Sequence, residues 1–415
     1  MFPVKEKAKF MRINTILFIS LLTAVTSFSV SYAAPADSLK TKNGKKWPQR
    51  IADSFIKRHP ADVINDTVYN NKWTYDQGVF LEALRQVYQK SGDKKYFDYI
   101  KTNIDMFVQP DGNIKTYKIS EFNIDNVNTG KSLLFLYSKT KEAKYKIAAD
   151  SLRKQLANQP RTKSNGFWHK KIYPNQMWLD GLYMGEPFYA QYSKLFNNSK
   201  DFDDIARQFI LIEKQTRDEK TGLLYHAWDE SRQMKWADPE TGRAPNFWSR
   251  AMGWYAMALV DILDFFPAKH PQRTDIIKIL QRLADALMKA QDNKTGLWYQ
   301  VTNMPDRKGN YLEASASCMF AYAFAKGANK GYLNKKYLVA AKKAFEGIIS
   351  NLVTIGKDDT IDLHQTCKSA GLGGNPYRDG SFEYYVNEPK RTNDLKGYGP
   401  FIMAAVELEK AKISK

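Results

Sequence analysis

Cysteine is almost missing from this chain, with two in 415 residues and no Cys-x-x-Cys. That count excludes a disulfide scaffold, a zinc finger and a thioredoxin-type redox centre. Histidine is scarce as well. The five present include no H-x-x-x-H pair, so no metal site is expected. Gly371-Leu372-Gly373-Gly374 has no strand ahead of it, and neither a P-loop nor GxGxxG occurs, which removes the nucleotide-binding classes and leaves no cofactor expected. No G-x-S-x-G elbow marks an esterase-type nucleophile. Beyond residue 33 no apolar run is long enough to cross a bilayer, and almost nothing alternates with the period of a strand. Acidic residues are outnumbered, 44 Asp+Glu against 63 Lys+Arg, for a formal charge of +19.

What is present begins with an address label. Lys5, Lys7, Lys9 and Arg12 precede the apolar run 16–25, and Ser31-Tyr32-Ala33 before Ala34-Pro35 supplies the small residues of a cleavage site. The expectation is a signal peptide over 1–33 and a single mature domain over 34–415, exported to a periplasm or beyond the cell, with no membrane anchor. Cleavage removes four cations and Glu6, which leaves a charge of about +16. Such a charge suits an acidic partner. The basic residues are spread along the chain rather than gathered in an arm, so nucleic acid is set aside in favour of an anionic polysaccharide. Nine Trp and 24 Tyr are enough to fill a core and also to wall a sugar-binding cleft.

Apolar residues recur with the helical period near 47–58, 73–90, 93–108, 126–138, 142–156, 176–196, 201–216, 247–265, 272–290, 312–327, 335–350 and 395–412. The odd-numbered segments are amphipathic. The even-numbered ones start with Trp, Asp, Gly, Asn and Ser, as in Met177-Trp178-Leu179-Asp180-Gly181 and Phe247-Trp248-Ser249-Arg250. An outer and an inner ring of helices would produce that alternation, small residues letting the inner ones crowd together. Asp218-Glu219-Lys220-Thr221-Gly222 recurs as Asp292-Asn293-Lys294-Thr295-Gly296, with weaker echoes at 109–114 and 163–169. Each lies between an odd helix and the following even one, and supplies a turn followed by aromatic or His side chains. The chain therefore reads as all-α: an (α/α)6 barrel of six inner and six outer helices, its loops gathered around a cleft at one end.

Asp180 stands inside a helical segment among Met177, Trp178, Leu179, Leu182 and Met184. Desolvation there raises a carboxyl and suits it to proton donation; the plainer alternative is a structural Asp with a backbone or Arg partner. Asp125 opens the fourth segment, where an N-cap is the default, beside Asn126 and Asn128. Arg250 and Trp254 share a helix face, able to grip a carboxylate and stack on a ring, or else to pack as core. His169 and His226 occupy equivalent places in the loop repeat. Cys318 and Cys367 leave a disulfide open.

At these residues the sequence becomes familiar. Trp73-x-Tyr75-x-x-Gly78, Asp125-Asn126, Trp178-Leu179-Asp180-Gly181, His226-x-Trp228 and Trp248-x-Arg250-x-x-Gly253-Trp254 resemble, in order, the unsaturated rhamnogalacturonyl hydrolases of glycoside hydrolase family 105. Family 88, the unsaturated glucuronyl hydrolases, is the near neighbour. The resemblance runs from about residue 47 to the C-terminus. It implies removal of a 4,5-unsaturated uronic acid from lyase-generated acidic oligosaccharides, by hydration of the enol ether rather than by the usual two-carboxylate attack on an anomeric carbon. It makes Asp180 the general acid and Asp125 its partner. It makes Arg250, His169 and His226 substrate contacts, and Tyr75, Trp228 and Trp254 the cleft walls. The rival readings are another (α/α)6 enzyme such as a polysaccharide lyase, and a protein that only binds anionic glycans.

Overall fold

The computed structural model describes residues 45–61, 63 and 71–411; the expected leader lies outside them. Six helix pairs follow one another. The first two are α1 (Trp47–Arg58) with α2 (Tyr75–Ser91), and α3 (Lys94–Asp105) with α4 (Gly130–Thr140). Next come α5 (Ala143–Ala157) with α6 (Leu179–Leu195), and α7 (Asp201–Thr216) with α8 (Ser249–Ile262). The last two are α9 (Arg273–Lys289) with α10 (Ala314–Asn329), and α11 (Lys336–Leu352) with α13 (Leu395–Lys410), the short α12 (Phe382–Asn387) lying between them. The even helices contact one another in sequence from α2 to α10, and α13 closes the ring between α10 and α2. This is the (α/α)6 barrel.

Sequence explains which ring each helix joins. In α9 only Ile276, Ile279, Leu280, Leu283, Ala284, Ala286 and Leu287 are buried, one stripe at helical spacing. In α8 every residue is buried, and α10 is buried from Ala314 through Gly327. Helices covered on all sides must approach closely: a Cβ on Gly253 would lie 2.7 Å from Sδ of Met319. Two of the outer-to-inner loops are held by the same kind of turn. Asp218 accepts from Thr221 N and Oγ1 at 2.8 and 2.7 Å before Gly222 at φ 75°, and Asp292 with Thr295 and Gly296 repeats the device. A third copy, Asp238 with Thr241 and Gly242, sits in the α7–α8 loop; it lies outside the two-repeat pattern read from sequence.

One expectation is corrected and one open question is answered. Asp125 does not cap the fourth helix: it lies in a 3-10 turn, Ile124–Val127, and α4 begins only at Gly130. Asn123 caps that 3-10 turn, its side chain accepting from Asp125 N at 3.1 Å, which leaves the Asp125 carboxylate free for other partners. Cys318 and Cys367, left open above, are both buried and unpaired.

Candidate active site

The site is assembled where loops enter the inner helices. Strand β1 (Gln176–Trp178) pairs antiparallel with β2 (Ala227–Asp229), placing Trp178 opposite Ala227. His169 N–H donates to Gln176 O at 2.8 Å, and Leu179 N–H donates to His226 O at 3.1 Å. These bonds bring both loop histidines to the start of α6, where Asp180 is the second residue. Gly181 follows because the His169 ring lies against it: a Cβ there would sit 3.0 Å from Nδ1.

Two carboxyls face two histidines. His226 Nε2 lies 3.3 Å from Oδ2 of Asp180, and neither atom has an aligned hydrogen-bond partner. The other His226 nitrogen, Nδ1, lies 2.7 Å from the hydroxyl of Tyr385. Asp125 is 3.4 Å from His169 Nε2 and 2.5 Å from Lys170 Nζ. Burial pushes the Asp125 carboxyl up, but Lys170 and His169 more than offset it and hold it below the usual carboxylate range. Burial pushes His169 down to about 4, against the opposing pull of Asp125 and Asp180, so its ring is neutral at pH 7. The charged partner of Asp125 is therefore Lys170.

Aromatic rings wall this cluster. His169 stacks on Trp178 at 4.7 Å, and Tyr173 stacks on Trp178 at 4.9 Å. Arg378 donates to the Tyr173 hydroxyl at 2.9 Å. Trp248 lies parallel to Tyr385, 5.9 Å away. A cleft of about 560 Å³, lined by Trp73, Tyr75, Asp76, Asn123, Asp125 and Asn126 among others, opens beside Asp125. Such a space fits sugar rings.

The expected residues thus divide. Asp180, Asp125, His169 and His226 come together, and Tyr75 lines the cleft. Trp228, 5% exposed, stands on β2 and bonds Thr241 O through its indole N–H. Trp254 is buried between Tyr183, 5.0 Å away, and Tyr75, 6.2 Å away. Arg250 is buried too, donating to the Cys367 carbonyl, with its Nε unpartnered. Sequence reasoning passed over Lys170, Tyr173, Arg378 and Tyr385. Lys170 directly follows His169 but looks like any of the other lysines. Arg378 and Tyr385 arrive on the α11–α13 connection, which carries no repeat. Among the described residues no group of three His, Cys, Asp or Glu side chains is placed to hold a metal ion.

The sequence model of Glycosyl Hydrolase Family 88 matches residues 47–412. A solved glycoside hydrolase from family 105 of C. acetobutylicum ATCC 824 is 48% identical, covering 88% of this chain and 100% of that one, with a TM-score of 0.85. The unsaturated rhamnogalacturonyl hydrolase YesR of Bacillus subtilis (strain 168) is 29% identical over 272 residues, 64% of this chain and 73% of that protein. In fold alone the chain matches the unsaturated glucuronyl hydrolase of Bacillus sp. GL1, at 14% identity and a TM-score of 0.64, over 87% of this chain and 95% of that one.

Proposed function

The chain belongs to the glycoside hydrolases of family 105, within the group that the Family 88 model describes, and from that premise we propose that it releases an unsaturated uronic acid from the non-reducing end of lyase-generated oligosaccharides. The observation that carries this reading is the pairing of two carboxyls with two buried histidines. His226 Nε2 is 3.3 Å from Asp180, and His169 Nε2 is 3.4 Å from Asp125. In the proposed reaction Asp180 delivers a proton to C4 of the enol ether while water adds to C5. The resulting C5 hemiketal opens to a ketone, and the C1 hemiacetal so exposed collapses to an aldehyde and frees the next sugar. One water is consumed and no net proton. Asp125, kept ionised by Lys170, stabilises the positive charge that builds at C5 and the ring oxygen during protonation.

The likeness to YesR supports unsaturated galacturonyl-rhamnose, a rhamnogalacturonan fragment, as the substrate. Unsaturated glucuronyl ends of glycosaminoglycan or ulvan fragments form the competing class. The basic segment and apolar run at residues 5–25 support export before cleavage. The test follows the ultraviolet absorbance of the conjugated double bond when the protein meets a panel of unsaturated disaccharides. A falling signal, fastest with one of them, supports the reaction and ranks the substrates. A signal that rises on intact polysaccharide would instead identify a lyase.

A further inference from the structure

Beside His169 lies a narrow cavity of about 10 Å³, at the lower edge of what one water molecule needs. Phe167, Met177 and Leu182 supply apolar wall, and the polar side chains are His169, Glu186 and Gln208. Gln208 is already committed. Its Oε1 accepts from Phe167 N at 2.8 Å, and its Nε2 donates to Asn165 O at 3.0 Å and Asp204 Oδ1 at 3.2 Å. His169 Nδ1 and Glu186 Oε2 are both buried without a protein partner. Two unsatisfied polar atoms on residues that share one water-sized space are costly unless they are bridged.

We infer that Glu186 is a positioning residue, donating through one water to Nδ1 of His169 and so holding the ring in the tautomer whose Nε2–H faces Asp125. This rests on the site reading given above. The chemistry of each group agrees with the role. Glu186 is 2% exposed. Burial pushes its carboxyl well up and Asp204 on α7 adds to this, while Arg161 before α6 and Arg153 on α5 pull the other way. A neutral carboxylic acid has an O–H to give, which an ionised one lacks. His169, neutral, can accept at Nδ1 only if its proton is on Nε2. The proton then points at Asp125, which Lys170 faces from the same loop and Tyr75 faces from α2.

Without the Glu186 donor, the imidazole can carry its proton on Nδ1 instead, and Asp125 loses one of the two groups that keep it charged. For Glu186→Leu we expect kcat to fall about tenfold with KM nearly unchanged, and the acid limb of the kcat/KM profile to move to higher pH. Glu186→Gln, which keeps an N–H donor, should restore most of the rate.

The direct test is long-range ¹H–¹⁵N spectroscopy of the whole protein with ¹⁵N-labelled histidine, the His169 signals being assigned by their loss in His169→Asn. A wild-type His169 protonated at Nε2, retained in Glu186→Gln and shifted toward Nδ1–H in Glu186→Leu, supports the role. A wild-type ring protonated at Nδ1 overturns it. So does an unchanged tautomer in Glu186→Leu. If Glu186→Leu does not fold, the wild-type tautomer and the Glu186→Gln pH profile still decide. The tautomer is read without substrate, so a failure of the proposed reaction would show separately, as a wild-type protein inert on every unsaturated disaccharide.

Discussion

Tyr385 holds His226 at Nδ1 across 2.7 Å, and the opposite edge of the same ring meets Asp180 at 3.3 Å. Tyr385 comes from α12, remote in sequence from both partners and wholly buried with His226. If the hydroxyl donates to Nδ1, the imidazole proton sits on Nε2 and faces the carboxyl.

Tyr385→Phe removes that bond and little else, since the ring still packs on Trp248. We expect kcat to drop about tenfold with a native circular dichroism spectrum. Steady-state kinetics on an unsaturated disaccharide would check it. A wild-type rate would deny the tyrosine any part in orienting His226.

Asp180→Asn should abolish turnover to the extent of losing a general acid, about 10³-fold. Asp125→Asn should cost less, about 10²-fold, because it removes charge and not the proton. Both variants are expected to fold. Retention of more than a tenth of the wild-type rate in Asp180→Asn would move the acid elsewhere.

His169 contributes to the pH dependence of stability. Its value falls from 6.5 to about 4 on burial, so between those two pH values the unfolded chain binds the proton and the folded one does not. Stability is full above pH 6.5 and is lost as pH falls toward 4, by up to about 3 kcal/mol. Urea midpoints measured across that window should slope less in His169→Asn than in wild type. Equal slopes would mean that His169 takes up its proton without unfolding.

Deep in the barrel, Asp261 accepts from Lys326 at 2.7 Å and from the Tyr322 hydroxyl at 2.6 Å, and all three are buried. Asp261→Ala removes the acceptor of the phenol proton and leaves Lys326 with Asp264 and the Tyr322 hydroxyl. Urea denaturation should show a loss of about 3 kcal/mol. Activity per folded molecule should stay close to wild type. A stability change below about 1 kcal/mol would show that Asp264 suffices.

Much of the fold was legible because burial dictates composition. Helices covered on every side, such as α8 and α10, need Ala and Gly where neighbours touch, and that requirement is visible without coordinates. Asp180 was legible for a related reason, as an acid among apolar residues. Asp125 was only half legible. Its neighbourhood read as a helix start, but a 3-10 turn capped by Asn123 precedes the helix, which begins only at Gly130, and the carboxylate meets Lys170 and His169. Tyr385 and Glu186 were beyond reach. Each matters only through a histidine that the chain brings to it from elsewhere, and no local pattern encodes such a meeting.

The closure of the ring by α13 has a consequence for the order in which the molecule is made. The first helix pair finds its last neighbour in the 16 residues of Leu395–Lys410, which reach α2 through Lys396 to Asp76 at 2.8 Å and α1 through Tyr398 to the Ile51 carbonyl at 3.2 Å. More than 300 residues separate these partners, so their loop-closure entropy is met only once α13 has been made. Until α13 emerges from the ribosome, the flanks of α2 and α10 that it will cover have no partner, and the nascent chain is an open arc of hairpins rather than a barrel.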